Sequence, residues 1–303
     1  MKAVQYDNYG EPDVLHIVDI EAPQAGPGQV RIKVRAAGVN PLDWKLRSGT
    51  YRDFMPIDLP SGVGAEAAGI IDEVGEGVLS VSVGDAVFGL AVRRTAMAER
   101  AVLTSWAKKP DGMPFEVAGA LPIAAETAMR ILDLVAIKAG ETLVVAGAAG
   151  GIGSAVVQVA RYRGVRVIGT ATEAKHDYLR KLGAMATTYG PGLPERVRAL
   201  APQGVDAALH LAGSEVIADL IAIVGNGARV LSIADIDAPK YGAQVTTAQS
   251  DHPEIALAEV ARIYGEGAFD VHIHASFPLD RIAEAQAMSA TGRVTGKLVV
   301  SFP

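Results

Sequence analysis

The sequence predicts an α/β protein of two domains, one β-rich and one built on a doubly wound parallel sheet, and three observations carry that expectation. The chain has 303 residues, more than one hydrophobic core usually organises, so two domains of roughly 150 residues are expected. Its first hundred residues are cut by Gly and Pro into short strand-like runs. From residue 141, apolar strands alternate with segments of helical spacing, the pattern of a parallel sheet with crossover helices.

The elements follow in order. The N-terminal MKAVQYDNYGEPDVLHIVDI alternates apolar and polar residues and reads as a first strand, with no apolar core of signal-peptide length. VRIKVRAAGV (30–39), GIIDEVGEGV (69–78) and DAVFGLAV (85–92) read as further strands. Helical spacing sets in over 115–136, FEVAGALPIAAETAMRILDLVA. Strand and helix then alternate through ETLVVAGA, GGIGSAVVQVARYRG, VRVIGTAT, AKHDYLRKLGA, ATTY, LPERVRALA, VDAALHLAG, EVIADLIAIVGNG and ARVLSIA. A helix at 253–265, a strand-like DVHIHASFP (270–278), a helix at 279–288 and a last strand KLVVSF (297–302) complete the chain. The strand content of this tail predicts that it returns to the first domain and leaves the parallel sheet as an insertion.

Composition removes several classes of function. The net charge is −6 with no long basic run, so there is no electrostatic footprint for nucleic acid. The absence of cysteine excludes disulfides and thiolate-held zinc or iron–sulfur centres, and fits a reducing cytoplasm. The uncharged stretch 142–160 is long enough to raise a membrane span. Its clustered Gly147, Gly150, Gly151 and Gly153 favour a turn and a buried helix instead, so no membrane partner is expected.

The segment LVVAGAAGGIG (143–153) places glycines at 147, 150 and 153 between a strand and a helix. Gly147 suits the tight turn, Gly150 admits a pyrophosphate close to the backbone, and Gly153 lets the helix pack on the sheet. Ala148, Gly150, Gly151, Ile152 and Gly153 are therefore the expected phosphate-binding residues, at a helix start whose dipole and unpaired N–H groups favour an anion. An NAD site would usually place an acid after the next strand, 165–169, where this chain has Thr170, Ala171 and Thr172. With Thr170 and Thr172 as hydrogen-bond donors and Lys175 as a partner for a 2′-phosphate, the expected cofactor is NADPH.

Taken together, VRIKVRAAGVNPLDWKLRSGTY (30–51), LPSGVGAEAAGIIDEVGEGV (59–78), VSVGDAVFG (81–89), LPIAAETAMRIL (121–132), the glycine turn and the terminal GKLVV (296–300) resemble the zinc-lacking quinone oxidoreductase branch of the medium-chain dehydrogenase/reductase superfamily. The resemblance implies a GroES-like catalytic domain from 1–118 and 267–303, a Rossmann NADPH-binding domain over 119–266, and an active-site cleft where they meet. It implies hydride transfer from NADPH to a small-molecule quinone or α,β-unsaturated carbonyl. Zinc-containing relatives place a catalytic cysteine where this chain has Asn40, and Gly-His-Glu where it reads Gly64-Ala65-Glu66, so no metal is expected. His272 and His274 share one face of a strand but have no third ligand in view.

The same resemblance assigns roles to single residues. Without a Lewis acid, the charge that develops on the substrate oxygen needs hydrogen-bond donors, and Asn40 is the first candidate, its alternative role being to cap the turn before Pro41. Tyr51 matches a family tyrosine that positions substrate or gives a proton, or else lies at the rim, and Lys45 stands where some relatives carry another tyrosine. Thr127 resembles the threonine near the nicotinamide. Tyr189 matches a position near the adenosine phosphate, and Lys297 in the terminal run is taken with the cofactor-binding residues. Glu66 is read as structural, and His210 as a buried, hydrogen-bonded histidine. A homodimer joined along the last Rossmann strand, 229–234, is expected. An enoyl-thioester reductase with a basic entrance at Arg47, Arg52, Arg93 and Arg94, and a non-catalytic NADPH-binding protein, are the competing functions.

Overall fold

The protein is described by a computed structural model that covers residues 1–213 and 215–303, with the side chain of Arg93 outside the description. In chain order the elements begin with strands β1 (Lys2–Tyr6), β2 (His16–Asp19) and β3 (Val30–Val39), helix α1 (Pro41–Arg47), and strands β4 (Ser61–Gly62), β5 (Glu66–Val74), β6 (Ala86–Ala91) and β7 (Arg100–Lys108). Helices α2 (Phe115–Gly119) and α3 (Pro122–Leu134), strand β8 (Thr142–Ala146), helix α4 (Gly151–Tyr162), strand β9 (Arg166–Thr170), helix α5 (His176–Leu182), strand β10 (Met185–Thr187) and helix α6 (Leu193–Leu200) follow. The chain continues through β11 (Ala207–His210), α7 (Ile217–Val224), β12 (Val230–Ser232), β13 (Gln244–Val245), α8 (Pro253–Gly265), β14 (Ile273–Pro278), α9 (Ile282–Ala290) and β15 (Lys297–Ser301).

Two compact units result, one of Met1–Ile123, His252–Gly265 and Asp270–Pro303, the other of Ala124–Asp251 and Glu266–Phe269. In the first, strands run in the order β14-β15-β3-β5-β6-β7, and a further pairing of β3 with β7 closes part of the sheet on itself. Alternation along β3 sends Val30, Ile32 and Val34 into the core and leaves Lys33 and Arg35 exposed. The last strand lies antiparallel on β3, Leu298 opposite Val39 and Val299 opposite Gly38. In the second unit six strands, all parallel, run β10-β9-β8-β11-β12-β13. This is the doubly wound sheet that the alternating pattern predicts, and buried Val144, Ile168, Ala208 and Val230 fill its interior.

Several details differ from the sequence expectations. The run 115–136 is two helices, because Gly119 packs so closely on β3 that a Cβ would lie 2.5 Å from the Ala36 carbonyl oxygen, and Pro122 opens a new helix. The strand expected at 69–78 begins at Glu66 and stops at Val74, where the backbone turns through Gly77 at φ 80°. Helix α1 and strand β7 were not foreseen. α1 has only seven residues, too few to show a helical period, and starts where the Asn40 N–H donates to the Asp43 carboxylate at 2.7 Å. The strand at 229–234 is not the sheet edge either, since β13 pairs on it, Leu231 with Gln244 and Ser232 with Val245. A dimer joined along 229–234 therefore lacks its edge.

Arg47, expected at a basic entrance, is 2% exposed. Its Nε donates to Gln286 Oε1 at 2.7 Å and its Nη1 to the Gly10 carbonyl, tying α1 to α9 and to the N-terminal loop. Replacing it by leucine leaves both acceptors unanswered. Arg47→Leu is expected to lower stability by about 3 kcal/mol, read as a lower urea midpoint at unchanged slope. A midpoint equal to wild type would show that these bonds do not hold the helices.

Candidate functional site

At the carboxyl end of β8 the chain makes the turn 147–150 into α4. Gly147 has φ 87°, a left-handed conformation that side chains resist. A Cβ on Gly153 would lie 2.2 Å from the Gly147 carbonyl oxygen, whereas one on Gly150 would meet nothing nearer than 3.6 Å. Gly153 thus seats helix on strand, and Gly150 leaves space at the helix start. The Ala148 N–H donates to the Thr170 carbonyl at 3.2 Å, so Ala148 sets the shape of the turn and its N–H is committed to β9. Gly151, Ile152 and Gly153 open α4, where N–H groups have no intrahelical acceptor and the helix dipole favours an anion. These residues fit a dinucleotide pyrophosphate.

Parallel register aligns the strand ends in one row: Thr187 beside Thr170, Thr170 beside Ala146, Ala146 beside His210, His210 beside Ser232. Thr170, a sequence candidate for the 2′-phosphate, is 1% exposed, and its Oγ1 accepts from the Gly147 N–H at 3.4 Å. It holds the glycine turn against β9 and does not face outward. Thr172 is exposed and precedes a short 3-10 helix, Glu173–Lys175. Lys175 is half-buried, and burial lowers its pKa. Tyr189, just past β10, is exposed. His210 is buried, with Nδ1 3.0 Å from Ser232 Oγ. That hydroxyl also accepts the N–H groups of Ala234 and Asp235 at 3.1 and 2.9 Å, so the row fixes the loop after β12.

In the first unit, Asn40, Glu66 and Lys297 meet at the ends of three neighbouring strands. Lys297 Nζ donates to Glu66 Oε1 at 2.8 Å and to Asn40 Oδ1 at 2.6 Å, and Asn40 Nδ2 donates to the same Glu66 oxygen at 2.7 Å. Glu66 Oε2 accepts the Ile123 N–H at 2.7 Å. All three side chains are buried. Lys297 is therefore engaged in this cluster through two of its three ammonium hydrogens. The arrangement does not fit a metal: an ammonium already occupies the space between the two oxygen donors, and a dication beside it would be repelled. Among the described residues no group of three or more His, Cys, Asp and Glu has metal-binding geometry. Asp43, on the same turn as Asn40, has its pKa raised to about 7, chiefly by burial and further by the charge of Glu66, against the opposing Asn40 N–H.

Tyr51 is half-buried. Its phenol oxygen accepts from Lys45 Nζ at 3.1 Å, and the ammonium stands over the Tyr51 and Trp44 rings at 5.2 and 5.8 Å. Phe54 meets the Tyr51 ring edge-on at 6.3 Å. Thr127 is buried in α3 and donates to Glu126 at 3.2 Å. Glu126 in turn pairs with Arg130 at 2.6 Å and accepts the Ser250 N–H at 2.8 Å. Of the arginines once grouped as an entrance, Arg52 is exposed beside Asp53, Arg47 is buried, and the side chain of Arg93 lies outside the described residues. Sequence reasoning missed the meeting of Lys297 with Asn40 and the burial of Asp43. The signal available in the sequence was Gly38, a glycine within β3.

Comparison with known proteins extends the picture. Residues 26–114 match the alcohol dehydrogenase GroES-like domain, and residues 182–300 match the zinc-binding dehydrogenase family. The chain is 31% identical over 301 residues to the pikromycin polyketide synthase component PikAII of Streptomyces venezuelae, of which it spans only 8%. It is 31% identical over 323 residues to the chloroplastic NADPH-dependent alkenal/one oxidoreductase of Arabidopsis thaliana, covering 99% of this chain and 79% of that one. The quinone oxidoreductase from Coxiella burnetii superposes with a TM-score of 0.87 at 28% identity, over 100% of this chain and 99% of that one.

Two outcomes test the geometry. Gly150→Ala is expected to unfold as wild type does but to bind NADPH about tenfold or more weakly, because its methyl enters the space at the helix start; equal affinity by titration calorimetry would place the pyrophosphate elsewhere. Asp43 gives up its proton near pH 4 when unfolded and near pH 7 when folded, so wild-type stability falls as the pH rises between those values and is level above them. Asp43→Asn removes that slope, and its stability relative to wild type is expected to rise by up to ~4 kcal/mol from pH 4 to pH 8. Parallel urea-midpoint curves for the two proteins across that range would refute the assignment.

Proposed function

The chain belongs to the quinone oxidoreductase branch of the medium-chain dehydrogenase/reductase superfamily, and from that premise we propose that it is an NADPH-dependent reductase of quinones or α,β-unsaturated carbonyls that works without a metal. The observation that carries the reading is the glycine turn of 147–153, with an open helix start at Gly150 on a six-stranded parallel sheet. NADPH, when bound, supplies the hydride. Gly151, Ile152 and Gly153 hold its pyrophosphate, while Thr172 and Lys175 answer the 2′-phosphate and Tyr189 lies by the adenosine. Thr127 orients the nicotinamide.

The Asn40 amide donates to the substrate oxygen on which negative charge develops. Because Lys45 donates to the Tyr51 phenol oxygen, the phenol's own hydrogen is directed away from Lys45 and is available to the substrate. A cytoplasmic setting accords with the lack of cysteine. A homodimer belongs to the same reading, its open edge now the short strand β13 in place of 229–234. No helix among the described residues is long and apolar enough to cross a membrane.

A second reading, an enoyl-thioester reductase, draws on the match to the polyketide synthase component. The test is oxidation of NADPH against a panel of o- and p-quinones, enones and enoyl thioesters, with and without a chelator, followed by nicotinamide absorbance. Turnover of a quinone or enone that survives chelation and prefers NADPH to NADH by about tenfold or more is expected. Turnover confined to thioesters would favour the second reading. NADPH-induced thermal stabilisation without any turnover would leave a non-catalytic NADPH-binding protein.

A further inference from the structure

Two buried side chains of the first unit, Asn40 and Glu66, are bridged by the Lys297 ammonium. Strand register makes the meeting unavoidable. Leu298 lies opposite Val39 and Ala37 opposite Ala67, so one step further along these ladders Lys297 comes level with Asn40, and Glu66 with Gly38. A Cβ on Gly38 would lie 2.1 Å from Glu66 Oε1, so the carboxylate rests directly on the backbone of β3.

We propose that Lys297 is a positioning residue that fixes the Asn40 amide and polarises it as a donor to the substrate oxygen. This rests on the reductase reading above. An ammonium can only donate and an ionised carboxylate can only accept. The amide oxygen must therefore face Lys297, at 2.6 Å, and the amide nitrogen Glu66, at 2.7 Å. The reverse orientation would set donor against donor and acceptor against acceptor. One Nδ2 hydrogen goes to Glu66 and the second remains for a ligand. Donation from the ammonium into the amide oxygen draws electron density from the nitrogen and strengthens that second N–H as a donor. Asp43 fixes the same residue from its backbone side by accepting the Asn40 N–H at 2.7 Å.

Two measurements decide it. The first needs no altered activity: the Asn40 side-chain NH2 resonances, assigned by their loss in Asn40→Ala, are expected to be two distinct, slowly exchanging signals in the wild-type protein. In Lys297→Met/Glu66→Gln, which removes both charges together, their exchange is expected to be at least about tenfold faster. Fast exchange of these hydrogens with solvent in wild type overturns the proposal even if the double variant does not fold.

The second is a mutant cycle on whichever quinone or enone wild type reduces. Lys297→Met/Glu66→Gln is expected to lower kcat about tenfold with the KM for NADPH unchanged, and Asn40→Ala about a hundredfold. Combining all three substitutions is expected to be no slower than Asn40→Ala alone. Losses that multiply would mean that Lys297 does not act through Asn40. Should wild type reduce nothing in the panel, the reductase reading fails while the exchange measurement still judges the positioning.

Discussion

Glu66 carries its charge with 0% exposure, and the closure of the first unit depends on how that charge is answered. An ionised carboxylate taken out of water without partners costs several kcal/mol. Here Lys297 and Asn40 share one of its oxygens and the Ile123 N–H takes the other. β5 can bury Glu66 only when β3 and β15 already lie in register with it. Lys297 is 231 residues away in sequence, so the two ends of the chain must assemble together. The inserted parallel sheet then forms a long loop whose closure is held by a buried ion pair and a strand ladder.

The second unit meets its polar obligations in another way. Its strand ends are lined by Thr170, His210 and Ser232, all buried, and each holds a neighbouring turn: Thr170 the glycine turn, His210 and Ser232 the loop after β12. What this leaves at the glycine turn is main chain, the N–H groups that open α4. A site made of backbone tolerates changes of nearby side-chain chemistry but no added volume where glycine is the wall, as the 2.2 Å approach at Gly153 requires. The cluster around Asn40 has the opposite sensitivity, since it depends on donors and acceptors of fixed charge.

This difference explains what could be read from the sequence. The glycine turn, the alternating strands and helices, and β3 at Val30–Val39 were legible because spacing alone dictates them. The glycine-lined start of α4 came with them. Helix α1 escaped because seven residues give no period, and its start depends on a contact from Asp43 to the Asn40 backbone. Thr170 was misread because its composition suited an outward donor, while strand pairing turns its hydroxyl under Gly147. The partners of Lys297 were hidden for the same kind of reason. Its place beside them is set by the register of β15 on β3, and no local pattern near residue 297 reveals that register, although Gly38, next to last in β3, is the kind of residue that marks a close approach.

Burial of Asp43 adds a last constraint to the same cluster. Lys297 and Glu66 cancel in charge, so while Asp43 is protonated the group around Asn40 is neutral. Loss of that proton, near pH 7, leaves one net negative charge next to the Asn40 backbone. Desolvation resists that loss, and so does the neighbouring Glu66 carboxylate; the Asn40 N–H and the Lys297 charge favour it. The balance falls close to neutrality because burial outweighs the Asn40 N–H and the charges of Lys297 and Arg94. The ammonium that orients the amide thus stabilises a second buried carboxylate by less than its burial costs.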